Sequence, residues 1–176
     1  IYNYSGLKFS ANGKPLKWTR DPVDIYAFHV DVPAGVKSIN LEAQFLSAIE
    51  SAQGPTMMTP EMLRLNWYIG ALYPAGHYAR KVNFDVSVKL PAGWDYATAL
   101  ETVSTANGVA RFKTASWETV IDSPLFAGKH MRKFDLDPGG RSRVTLNVMG
   151  DEPGQVDPSP EIIAVHRNLC LLYTSR

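Results

Sequence analysis

Four histidines, one cysteine and 17 acidic side chains are the groups in this 176-residue chain with the most scope for chemistry. None of the histidines stands in His-Glu-x-x-His, the spacing that sets two imidazoles on one helical face for zinc. His29 lies two residues from Asp31 on an alternating segment, so both point to the same strand face. The two could be half of a metal site, but no third ligand lies nearby in sequence. They read better as an exposed pair on a wet sheet face. His77 follows Tyr73-Pro74-Ala75-Gly76 and precedes Tyr78 and Arg80, which makes this aromatic, cationic turn the most site-like segment of the chain. Aromatics at sheet ends usually serve packing, so a packed corner is the leading expectation there. His130, beside Lys129, Arg132 and Lys133, reads as a solvated basic strand end, and His166 falls two turns into a C-terminal helix.

Nucleophilic and phosphate chemistry have weaker footing. There is no Gly-x-Ser-x-Gly elbow, and Cys170 lies in an atypical C-terminal tail. Gly139-Gly140 stands in a turn between strands and not ahead of a helix N-terminus, where a phosphate would bind. The carboxylates Asp21, Asp24, Glu118 and Asp122 are scattered, with exposure as the default. Asn3-Tyr4-Ser5 fits a glycosylation sequon, which matters only in a eukaryotic secretory host. No catalytic, cofactor-binding or metal-binding residue is assigned.

The elements that must position these groups are strands. Val82, Phe84, Val86, Val88 and Leu90 alternate with polar residues, the pattern of a half-buried strand. Tyr26 to Val32, Ile39 to Phe45, Leu63 to Ile69 and Val144 to Val148 alternate in the same way. Asn12-Gly13 and Asn107-Gly108 fall where hairpins need them, because both residue types tolerate positive φ. Pro33-Ala34-Gly35, Pro91-Ala92-Gly93 and Asp137-Pro138-Gly139-Gly140 end strands and reverse the chain. Helix is favoured only as a short turn around Thr59 to Leu63 and after Ser159, where Ser159, Pro160 and Glu161 form a start signal. The expected class is all-β: an antiparallel β-sandwich or curved open sheet with a short C-terminal helix stub.

Composition narrows the function classes. A hydrophobic fraction of 45% and a net charge of +1 argue against disorder. The near-balance of 18 basic and 17 acidic residues argues against electrostatic nucleic-acid binding. No apolar run approaches the roughly 18 residues of a membrane span, and one cysteine cannot close an internal disulfide. We expect a β domain over residues 1–150, a Pro-rich linker over 151–158, and over 159–169 the start of a helix leading into a further domain. Residues 170–176 resemble the translated sequencing-adapter peptide found at the ends of metagenomic assemblies. The expectation is a fragment truncated at both ends.

Several phrases carry a family resemblance. Ala11-Asn12-Gly13-Lys14-Pro15-Leu16-Lys17-Trp18, the Asp24 to Pro33 stretch Asp-Ile-Tyr-Ala-Phe-His-Val-Asp-Val-Pro, and Ala71-Leu72-Tyr73-Pro74-Ala75-Gly76-His77 are three of them. Leu90-Pro91-Ala92-Gly93-Trp94, Ala97 to Glu101 and the Glu118 to Gly128 stretch continue the series in order. Together, from about residue 6 to about 168, they resemble the N-terminal domain of bacterial glycyl-aminopeptidase-type zinc metallopeptidases, family sixty-one of that class. The resemblance implies a parent with a thermolysin-like catalytic domain carrying zinc, and often a PDZ-like domain after it. No position here matches the zinc motif, so the resemblance implies no cofactor and no activity in this segment. It implies the chain's own catalytic domain as intramolecular partner, peptide as the parent's substrate, and an exported, periplasmic address. Trp67, Tyr73, His77 and Arg80 are the expected interface or cleft residues, since aromatic and Arg side chains are enriched at buried interfaces. The rival expectation is a stand-alone β-sandwich binding module for carbohydrate or protein.

Overall fold

A computed structural model describes residues 4–48, 58–140 and 143–174; Asn3 of the sequon and the last two tail residues lie outside them. The chain divides into two compact units, Ile1–Ala48 and Ile49–Arg176. Every named strand pairing is antiparallel, and the fold is all-β apart from short helical turns and one C-terminal helix.

In the first unit β1 (Tyr4–Ala11) is the centre of a three-stranded sheet, flanked by β2 (Lys14–Pro15) and β5 (Asn40–Phe45). The turn from β1 to β2 is Asn12-Gly13 with φ of 50° and 74°, the two positive values a tight two-residue hairpin requires. A second hairpin joins β3 (Trp18–Arg20) to β4 (Phe28–Val30). The rings of Phe9, Trp18 and Phe28 pack together with centroids 5.7 to 6.3 Å apart, and Phe9 is buried. The apolar face expected along β5 is only partly covered. Leu41 is half-buried, whereas Ile39 and Phe45 are 42% and 39% exposed.

The second unit holds the main core. β6 (Met62–Leu65), β13 (Leu125–Gly128) and β9 (Asp95–Ala97) form one sheet with β13 central. β10 (Thr102–Ala106), β11 (Val109–Phe112) and β8 (Ser87–Lys89) form another with β11 central. β7 (Asn83–Phe84) pairs with β12 (Ala115–Ser116), and β14 (His130–Asp135) with β15 (Thr145–Gly150). Asn107-Gly108 closes the β10–β11 hairpin with φ of 52° and 74°. Leu90, Leu100, Ala110, Phe112, Trp117, Val120, Leu125 and Ala127 form the buried cluster.

The Val82–Leu90 alternation holds in burial at every step, with odd-numbered residues exposed and even-numbered ones covered. Its pairing nevertheless splits into β7 and β8, because the opposing chain carries one extra residue between Arg111 and Ala115, where β11 gives way to β12. The Thr114 hydroxyl donates to the Asp85 carboxylate across this gap. The Leu63–Ile69 alternation corrects to a strand that stops at Leu65, followed by a helical turn α1 (Trp67–Gly70). There the Ala71 N–H donates to the Trp67 carbonyl at 3.0 Å, closing the turn. Thr59 forms no helix. Its hydroxyl accepts the N–H groups of Glu61 and Met62 and donates to Asp151. After β15, a 3-10 turn at Pro153–Val156 buries Val156, and Asp157 pairs with Arg132. The last helix runs Pro160–Thr174, past Leu169, and the Arg167 side chain donates to the Leu136 carbonyl at 3.2 Å.

Candidate functional site

The segment singled out by its residue types gathers around a short helix, α2 (Trp117–Ile121), that periodicity alone did not announce. Its start is written locally: the Ser116 side chain accepts the Thr119 N–H at 3.2 Å, and Glu118 stands in the first turn. Trp117 and Val120 face the core, and the Trp117 ring stacks on Phe84 with centroids 4.7 Å apart.

Three of the four expected site residues contact this helix or the turn that follows it. The Trp67 indole N–H donates to the Ser123 carbonyl at 2.6 Å, which fixes α1 against the end of α2. Ser123 is one of the few buried polar residues, and its hydroxyl donates back to the Thr119 carbonyl at 2.8 Å. The Tyr73 ring packs on Trp117 at 5.9 Å yet remains 47% exposed. Arg80, in the 3-10 turn Ala79–Lys81, approaches Glu118 at 3.5 Å with both side chains largely solvated. Such a pair contributes little to stability. His77 sits in the exposed Pro74–Tyr78 turn, with no hydrogen bond or ion pair among the described residues. Tyr78, 75% exposed, lies under the Lys81 ammonium at 5.7 Å.

The corner therefore has two layers. Trp117, Phe84 and Trp67 are its packed base. Tyr73, His77, Tyr78 and Arg80 form its exposed surface: two phenol rings, an imidazole and a guanidinium on an anchored scaffold. Such a surface can bind by aromatic and cationic contact.

Two of the other histidines face carboxylates, while the His166 Nδ1 lies 2.8 Å from the Ile162 carbonyl of its own helix. His29 meets Asp21 and not Asp31, with Nε2 at 2.7 Å from the carboxylate. Asp21 also accepts the N–H groups of Val23 and Asp24, each at 2.8 Å. The backbone bond from Asp24, then His29, then the Val23 bond lower its pKa to about 2. His130 is not the solvated group its basic neighbours suggested. It is largely covered and lies 3.9 Å from Glu61, which also takes Lys129 at 3.1 Å. Among the described residues no three His, Cys, Asp or Glu side chains come together as a metal-ligand set. No described helix is long and apolar enough to cross a membrane.

The sequence model of the Peptidase M61 N-terminal domain matches residues 1–129. That span contains both β-hairpins with Asn-Gly turns, α2 and all four expected site residues, and it ends at the close of β13. No curated protein matches the chain.

Proposed function

Because the chain belongs to the Peptidase M61 N-terminal domain family, we propose that it serves as the non-catalytic β domain of a zinc metallo-aminopeptidase. In this role it packs on the thermolysin-like catalytic domain and helps wall the cleft that receives a peptide N-terminus. The observation that carries the proposal is the α2 corner. Tyr73, His77, Tyr78 and Arg80 stand outward on a base held by Trp117 stacking and the Trp67–Ser123 hydrogen bond. Large aromatic and Arg side chains on a pre-ordered support are the groups from which binding hot spots are built.

The zinc chemistry of such a parent would belong to residues outside this segment, and no catalytic step is assigned to any side chain described above. Tyr73→Ala combined with His77→Ala in the full-length peptidase tests the role. The expected result is a higher KM for peptide, or a lowered unfolding temperature if the corner faces the catalytic domain. Unchanged peptide kinetics together with unchanged stability would sink the proposal. The second reading, a stand-alone binding module for carbohydrate or protein, draws on the exposed tyrosines 68, 73 and 78. Saturable binding of an oligosaccharide to this chain, abolished by Tyr73→Ala, would favour it.

A further inference from the structure

The β3–β4 hairpin carries a loop, residues 21–27, whose side chains run against its surroundings. Val23 is 90% exposed, and Ile25 and Tyr26 stand beside it in solvent. A loop that displays apolar side chains gains no order from burying them, so its conformation must come from hydrogen bonds. Asp21 supplies most of these. One carboxylate oxygen accepts the Val23 and Asp24 N–H groups, and the other meets His29 Nε2 at 2.7 Å. The Asp24 carboxylate accepts the Tyr26 N–H at 2.9 Å, and the Ala27 and Asp21 amides close the loop through backbone bonds of 3.0 Å.

We infer that Asp21 and His29 form a pH-sensitive clasp that tightens the 21–27 loop, and so its display of Val23, Ile25 and Tyr26, as pH falls from 8 to 5. A neutral imidazole with its proton on Nε2 already donates to the Asp21 carboxylate. Histidine is the side chain that changes charge in this interval. A second ring proton converts the contact to a charge-assisted bond, which is stronger by about twofold. The Asp21 carboxylate stays ionised throughout, held there by its two amide donors.

The charges around His29 are few. Register places Lys17 opposite Asp31 and Thr19 opposite His29 on the same face of the hairpin, with Asp21 and Asp24 in the loop. β1 meets the hairpin through Phe9, on the opposite face that carries Trp18 and Phe28. Three carboxylates, Asp21, Asp24 and Asp31, and one ammonium, Lys17, thus lie on or beside the His29 face. The Asp21–His29 pair is solvated enough that the expected effect is about two- to fivefold.

The test measures solvent-exchange protection of the Val23 and Asp24 amides by NMR between pH 8 and pH 5, after division by intrinsic rates. It compares the chain with His29→Gln, which keeps a neutral donor, and with Asp21→Asn. Protection should rise about two- to fivefold in the parent chain and stay flat in both variants. A flat parent profile overturns the inference, and so does a rise that survives His29→Gln. Should either variant lose the protected β1–β5 amides, the parent chain still decides. The His29 ring proton shift and the Val23 protection must then share one midpoint, and separate midpoints overturn the clasp.

Discussion

Asp21 shows how much a solvated side chain can organise when its neighbours are backbone donors. Its folded pKa, about 2 against an ordinary 3.8, lies below the unfolded value. A depressed carboxyl stabilises the fold above the unfolded pKa, and that contribution is lost as pH falls through the folded one. The 21–27 loop should therefore open between about pH 4 and pH 2 while the core of the second unit stays intact. Amide protection at Val23 and Asp24, followed alongside Phe112, would show the two events separately. At Leu125, with no exposed surface and the central place in its sheet, replacement by Ala removes packed methyls and leaves a void. We expect a loss of about 2–5 kcal/mol, read from denaturant midpoints.

At the scale of elements, the two Asn-Gly hairpins permit a controlled comparison. Gly13 and Gly108 share a φ of 74°, where any Cβ is strained by about 1–2 kcal/mol. A Cβ at Gly13 meets open space, but one at Gly108 would come within 3.4 Å of the Leu90 carbonyl. Both Gly→Ala variants should be destabilised, Gly108→Ala at least as much as Gly13→Ala, as thermal melts would show. Ser116→Ala should cost about 1 kcal/mol by uncapping α2, and it would loosen Tyr73 with it. These turns were legible in sequence because Asn-Gly has few other uses, and the Val82–Leu90 alternation was legible because burial, unlike pairing, follows side-chain period. The start of α1 was not. Leu63 to Ile69 alternates cleanly, and the strand stops at Leu65 where the chain turns so that Trp67 reaches a carbonyl 56 residues away. α2 is a single helical turn, too short for a 3.6-residue period to register, and only its Ser116 cap marked it. At the candidate site, the residue types of Trp67 to Arg80 were visible, but which of them would be base and which surface depended on Trp117. Likewise His29 found Asp21, eight residues away across a loop, and not the strand neighbour two residues on.

For the molecule as a whole, the buried cluster lies entirely within the second unit, whereas Phe9 and Ala11 are the buried hydrophobics of the first among its described residues. Segments near or below about 40 residues seldom sustain a core unaided, and this unit has only those two buried hydrophobics among its described residues. We expect residues 58–176 expressed alone to keep a cooperative thermal transition and residues 1–48 alone to lack one; cooperative melting of the shorter piece would contradict this. Membership of the Peptidase M61 N-terminal domain family places both units in one domain type, since the match crosses from the first into the second. Trp117 has Phe84 stacked on it and Tyr73 tilted against it, an arrangement with an optical consequence. We expect these two neighbours, 4.7 and 5.9 Å from the Trp117 ring, to give it a near-ultraviolet dichroism and Tyr73 to pass excitation to it. Anything that covers or tilts the Tyr73 ring would change that signal. The corner thus carries its own spectroscopic reporter, able to register a docking partner without a label.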